Sequence, residues 1–382
     1  MKFLSAAFAT TALFAATSFS RPAPAPASRA TPAKIQVAIL LDVSGSMQGL
    51  IEQAKAQLWN MVTTLGKAQC TDNTTPQVEL ALYEYGRPAD GADKGYIKQL
   101  SPFTRDLDAV SQILFSLHTD GGDEYCGQVI YTSIDQLSWD ASNDNYKVIF
   151  IAGNEDFLQG TLHYTKACTK AKEKGVIVNT IYCGPYQQGI AEHWNLGGEC
   201  GSGSFTNINQ NATENDIPTP YDTTLIVLNT KLNGTYVAYG NAGVDFKARQ
   251  MQMDEANFAY NTKVAAKRVE AKARGNVYNN AGWDLVDGYI SDSTHFVSKL
   301  DRKTLPDSLK SIPDEKLKIV IREKAAERSA IQRQILEVNN NRTKFIAEQK
   351  ARDAVRNNEK TLESEVEKII KEQVQRFNMK IE

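Results

Sequence analysis

The chain has 382 residues, 42% of them hydrophobic and 23% charged, with a formal net charge of −2. That length suggests about two domains and allows a large core. The near-neutral charge gives no sign of a nucleic-acid or membrane-surface partner, and five cysteines are too few for a disulfide scaffold.

Residues 1–20 read as a secretory leader. Lys2 is the charged start, Phe3 to Phe19 is an apolar run without an acid, and small residues near Pro22 to Ala27 offer cleavage sites. The run falls short of a full membrane span, so an uncleaved anchor is the rival reading. No cysteine follows it, which argues against a lipoprotein. Residues 21–33 form an extended Pro/Ala linker. An exported protein, periplasmic or extracellular, is therefore expected, where disulfides can form. Membrane association would follow only if the leader stays uncleaved.

Ile35 to Leu41 is apolar and largely β-branched or leucine, which reads as a strand buried on both faces of a parallel sheet. Asp42, Ser44 and Ser46 follow, with Gly45 between the serines to let the backbone turn. A carboxylate and two hydroxyls at alternate positions, leaving a buried strand, make an oxygen-only site suited to Mg²⁺ or Mn²⁺. Leu50, Ala54, Leu58, Met61, Val62 and Leu65 recur at helical spacing, so a helix follows directly.

This strand, oxygen-rich loop and helix resemble the von Willebrand factor A family. The family's metal-ion-dependent adhesion site opens with Asp-x-Ser-x-Ser after the first strand, matched by Asp42, Ser44 and Ser46. The resemblance covers about residues 34–210 and implies a doubly wound, mostly parallel α/β sheet. It extends to exported members that carry the same GGDEYCG and GNE-type loops before a helical tail.

Later elements fit that expectation. Val78 to Tyr85 reads as the second strand, Tyr96 to Leu100 as a short third, and Leu107 to Leu117 as a helix. In His118 to Gln128 the family supplies a threonine after the glycines. Asp123 and Glu124 stand there instead, with Thr119 before the glycines as a weaker substitute. An added carboxylate raises the site's negative charge and widens the choice of ion to Ca²⁺. Asp123 is equally suited to cap the helix that starts near Tyr125.

Lys147 to Ile151 is another apolar strand. The family ends it with Thr-Asp-Gly, whereas Ala152 to Phe157 reads AGNEDF, so the third acid is displaced. Glu155 is the preferred substitute, with Asn154 and Asp156 close behind. A helix over Thr165 to Lys174, a strand over Val176 to Tyr182 and a short strand over Phe205 to Ile208 complete the sheet.

Residues 211–382 form a mainly helical C-terminal region. Leu225 to Tyr239 is compatible with a helix or a hairpin, Phe246 to Arg274 is helical, and a long helical stretch rich in Lys, Arg and Glu starts at Asp314. Its apolar stripe is too irregular for a heptad seam; packing against the first domain or of these helices on each other is expected, and an exposed arm that binds a partner or self-associates is the rival reading. Among the cysteines, Cys126–Cys183 and Cys183–Cys200 are rival bridges, while Cys70 and Cys168 pair or stay buried. Without a C-x₂-C pair, zinc is not expected.

Three functions remain. The first is a binding protein whose cation, held by Asp42, Ser44 and Ser46 with Asp123, Glu124 and Glu155, engages a carboxylate of a protein partner, as the family implies. The second is a metal-assisted hydrolase using Asp42, Asp123 and Glu155; no nucleophile or two-metal signature supports it. The third is a structural protein with a vestigial site.

Overall fold

The structure, a computed structural model, describes residues 32–211, 217–352 and 360–381. The leader and nearly all of the linker lie outside the described residues. From Pro32 onward the chain packs as one compact unit.

β1 (Lys34–Asp42) is followed by α1 (Gln48–Leu65), a short β2 (Ala68–Cys70) and β3 (Gln77–Tyr85). β4 (Ile97–Thr104), α2 (Leu107–Ser116), α3 (Cys126–Gln136), β5 (Tyr146–Gly153), α4 (Tyr164–Lys174) and β6 (Ile177–Cys183) come next. α5 (Tyr186–Ala191), α6 (Trp194–Cys200) and β7 (Ser202–Ile208) end this half. The six long strands form one sheet in the order β4-β3-β1-β5-β6-β7. Every pairing in it is parallel except β3 with the edge strand β4.

Strand alternation sorts the core into two layers. Val37, Ile39 and Leu41 of β1 join the layer beneath α1 and α2, while Ala38 and Leu40 join the layer beneath α3 and α4. Both faces are apolar because helices cover both, which is why β1 and β5 read as unbroken hydrophobic runs.

The second half continues with α7 (Asp222–Asn233), α8 (Gly243–Tyr260), α9 (Thr262–Lys272), α10 (Leu285–Ser291), α11 (Phe296–Lys299) and α12 (Asp307–Lys310). The 39-residue α13 (Asp314–Arg352), α14 (Leu362–Gln373) and β8 (Met379–Ile381) follow. Leu225 to Asn233 is thus helical, and the hairpin alternative is excluded. The long stretch from Phe246 is split at Asn261, whose extended backbone ends α8 and whose side chain accepts from the Lys263 and Val264 amides to start α9.

α14 returns to the sheet. Leu362, Val366, Ile369 and Ile370 enter the same apolar layer as α1. Gln373 is buried at its end, accepting from the Tyr146 hydroxyl (2.8 Å) and donating to Asn179 Oδ1 (2.7 Å) on β5 and β6. β8 then pairs antiparallel with β2. Neither short strand is expected from the sequence, since three residues carry no usable alternation.

α8 and α9 are fastened to α2 by a buried ionic cluster. Arg268 donates to Asp108 Oδ1 (2.7 Å) and to Asp254 Oδ1 (2.6 Å), Lys272 pairs with Asp254 Oδ2 (2.7 Å), and the Tyr278 hydroxyl donates to Asp108 Oδ2 (2.7 Å). A second buried arginine, Arg328 of α13, pairs with Asp284 Oδ2 (2.7 Å) and Asp287 Oδ1 (2.6 Å) and lies over the Tyr236 ring.

The cysteines correct both rival pairings. The bridge joins Cys168 to Cys200, with Cα atoms 5.7 Å apart. Cys168 lies on α4 and Cys200 on α6, and these helices pack side by side. Cys126 and Cys183 belong to the apolar layers on opposite faces of the sheet, so the strands separate them. Cys70, Cys126 and Cys183 are buried free thiols.

Candidate metal centre

Four chain segments converge at the carboxyl ends of β1, β3 and β5, where open parallel sheets place their sites. The loop after β1 is pinned to β3 by the Val43 amide, which donates to Tyr85 O (2.9 Å). The 118–124 loop is pinned to it in turn, because the Asp120 amide donates to Val43 O (2.8 Å).

Asp42 is fully buried at the end of β1. Its Oδ1 accepts from the Ser44 amide (2.7 Å), an Asx-type turn that points the loop back over the strand end. Its Oδ2 is buried without a hydrogen-bond partner among the described residues, and so is Ser44 Oγ. Buried polar atoms are almost always satisfied, so an open carboxylate oxygen on Asp42, beside a hydroxyl lying between Asp42 and Glu124, marks a place for an electrophile.

Glycines make room for this carboxylate. A Cβ on Gly153 would sit 2.9 Å from Asp42 Oδ2 and 2.5 Å from the Tyr85 hydroxyl. Gly86, at φ +90°, would place one 3.1 Å from both Asp42 Oδ1 and Glu124 Cγ. Those distances set Glu124 beside Asp42 across Gly86. Gly45 plays no such part: a Cβ there meets nothing within 4 Å and its φ is not positive. The expectation that it turns the loop toward an ion is corrected; the Asp42–Ser44 bond does that.

The remaining predicted residues divide. Glu124 is buried and its carboxylate faces Asp42 and Ser44. Ser46 is exposed and accepts from Asn154 Nδ2 (3.1 Å), so the third loop meets the first through this amide. Glu155 is exposed and accepts a long bond from Gln159 (3.4 Å). Asp123 is exposed and lies against the Tyr96 hydroxyl, while α3 begins at Cys126 without any side-chain cap. Asp123 is therefore not the cap of this helix. Thr119 contacts Gln48 at the start of α1 (3.4 Å) rather than the Asp42 pocket. His118 is held outside by Arg87, whose guanidinium donates to its carbonyl (2.7 Å).

The electrostatics of the pocket are those of crowded anions. Burial lifts Asp42 to about 6, opposed by the Ser44 amide and reinforced by Glu155. Burial lifts Glu124 to about 8, with Asp42 and Glu155 adding repulsion. Carboxylates shifted this way lack a positive partner. Among the described residues there is no cluster of three or more His, Cys, Asp or Glu side chains arranged to hold an ion. The inward donors are Asp42, Ser44 and Glu124, with Ser46 and Asn154 at the mouth. An all-oxygen set with open acceptors and unneutralised charge fits a hard divalent cation that keeps some of its water.

Residues 34–208 thus form a mostly parallel α/β sheet covered by helices on both faces, with the Asp-x-Ser-x-Ser loop at the strand ends, the arrangement that the resemblance to the von Willebrand factor A family implies, and a helical region follows it. No family model matches the chain, and no curated protein does. Similar solved structures include an aerotolerance-related membrane protein from Bacteroides fragilis, at 16% identity over 46% of this chain and 93% of that one, TM-score 0.33. The SpRpn10 VWA domain is 14% identical over 46% of this chain and 88% of its own, TM-score 0.34. Proximal thread matrix protein 1 from the mussel byssus, with a zinc-occupied MIDAS motif, is 16% identical over 40% of this chain and 39% of that one, TM-score 0.31.

Proposed function

We propose that the protein is an exported binding protein that holds a divalent cation, Mg²⁺ or alternatively Mn²⁺ or Ca²⁺, above β1 and uses it to engage a protein partner through a carboxylate. The observation that carries this reading is the pair of buried, unpartnered oxygens, Asp42 Oδ2 and Ser44 Oγ, beside the lifted carboxylate of Glu124. Asp42, Ser44 and Glu124 would hold the cation, with Ser46 at the rim. Glu155 and Asp123 act through charge from the loop surface. When bound, the cation supplies a Lewis-acidic position that accepts one more oxygen ligand from outside the chain.

The chain's own part is to orient and to exclude. Gly86 and Gly153 bring backbone against Asp42, and the Ser46–Asn154 bond links two of the loops over the mouth. Binding through the cation is the role proposed for this site. Among the described residues no helix is long and apolar enough to cross a membrane.

Calorimetric titration of Mg²⁺, Mn²⁺ and Ca²⁺ tests the site. Asp42→Ala should weaken binding by more than about a hundredfold. A pull-down from the exported fraction should recover a partner in Mg²⁺ and lose it in chelator. Equal heats from the wild type and the alanine variant would end the reading. Metal-dependent phosphatase or peptidase turnover abolished by Asp42→Ala would replace it with a hydrolase.

A further inference from the structure

A second cavity, about 590 Å³, opens where the sheet half meets the helical half, along the side of α1 that follows the cation loop. Its size falls within the range of small-ligand sites. Its walls come from four separate places: α1, the segment leaving β7, the α8–α9 corner and the start of α14. A cleft shared by sequence-distant segments is held open by their packing and not by any one loop.

Two lining groups lack what they need. Asn60 Oδ1 and Nδ2 and Gln210 Oε1 are all buried, with no hydrogen-bond partner among the described residues. Two acceptors and one donor are therefore open, so the missing partner both donates and accepts. The lining adds two carboxylates, Glu52 and Glu363, each already held by a lysine: Lys55 at 2.8 Å and Lys263 at 2.5 Å. Lys263 and Lys267 both line the cavity. Lys263 is paired with Glu363, and Lys267 adds a further positive charge to the lining, which disfavours a cationic amine. A neutral hydroxyl, which donates and accepts at once, suits the open amide atoms. Tyr260 contributes an aromatic wall, its own hydroxyl being committed to Glu52 O (2.9 Å).

We propose that this cleft binds a short neutral saccharide, whose hydroxyls donate to the Asn60 and Gln210 amide oxygens and whose ring lies against Tyr260. The site is separate from the cation centre. Gln48 lines the cleft and also contacts Thr119 of the 118–124 loop, so the two are neighbours, but none of the inward donors Asp42, Ser44 and Glu124 lines it.

The test is saturation-transfer NMR and calorimetry on the full chain with glucose, galactose, N-acetylglucosamine, maltose and cellobiose, and with spermidine as the amine control. At least one sugar should bind, in chelator as well as in Mg²⁺. Asn60→Leu, which removes both open amide atoms at similar size, should weaken binding at least tenfold. Ala56→Trp, which fills the cleft from α1, should abolish it, with circular dichroism and melting temperature unchanged. Tyr260→Ala, at a half-open position, should weaken it without disturbing the fold. The proposal is overturned if no sugar binds at 10 mM, if chelator abolishes binding, if spermidine binds in place of the sugars, or if binding survives in folded Ala56→Trp and Tyr260→Ala.

Discussion

Asp42, Ser44 and Glu124 show how a few side chains set the chemistry of a whole strand end. Both carboxylates titrate higher in the folded chain than in the unfolded one, from 3.8 to about 6 for Asp42 and from 4.5 to about 8 for Glu124. The folded state therefore binds more protons between those limits, and stability falls as pH rises. Without divalent cations the melting temperature should decline steadily from about pH 4 to about pH 8. With saturating Mg²⁺ the decline should flatten or reverse, because the cation replaces the protons. Asp42→Asn keeps the shape and removes one titrating charge. It should raise the metal-free melting temperature at pH 8 while losing the response to Mg²⁺. A scanning calorimetry series across pH checks all three outcomes, and a melting temperature that rises with pH in chelator would contradict them.

At the scale of elements, the joints are ionic and covalent where the sequence suggests only charge and scattered thiols. The Arg268 cluster ties α9 to α2 and α8 with all four of its charges (Asp108, Asp254, Arg268, Lys272) buried, so removing one strands its partners. Asp254→Ala should cost about 3–5 kcal/mol, read from urea unfolding. Asp254 is held well below the usual carboxylate range: burial opposes its charge, but Lys272 and Arg268 outweigh it. Its contribution is present above the ordinary value of 3.8 and disappears as pH falls below it. Acid unfolding should therefore begin below about pH 4 in the wild type and flatten in the alanine variant. The Cys168–Cys200 bridge spans 32 residues, and Cys200→Ser should lower stability by about 2–4 kcal/mol under oxidising conditions. Equal stability of the serine variant and the reduced wild type would confirm that the loss is the bridge itself.

On the scale of the whole molecule, α14 is the piece that closes the sheet half, although it lies more than 150 residues beyond β7. Leu362, Val366, Ile369 and Ile370 are buried beside α1, each worth roughly 1.5–3 kcal/mol of apolar burial. A chain ending at Gln210 should therefore be poorly soluble or molten, with loss of near-ultraviolet dichroism and binding of a hydrophobic dye. A fragment of residues 34–210 that melts cooperatively would show that the helical half is dispensable. Joining Gln210 to Thr361 through a short flexible linker should restore more cooperativity than truncation alone, since it returns α14 and Gln373 to their places.

The sheet, its parallel strands and the Asp42–Ser44–Ser46 loop were legible in the sequence, because a strand covered on both faces must be continuously apolar and a loop leaving it must carry its chemistry locally. Glu124 stands in the sequence as a carboxylate where the family has a threonine, and the fold turns it inward. The separation of Asp123 and Glu155 from Glu124 was not, since neighbouring acids differ only in which way the folded loop turns them. The Cys168–Cys200 pairing, the return of α14 and the β2–β8 pair depend on contacts between residues far apart in the chain, for which no local pattern exists. Local periodicity fixed the elements, and only the packing of those elements decided which acids face inward, which thiols meet and which helix closes the core.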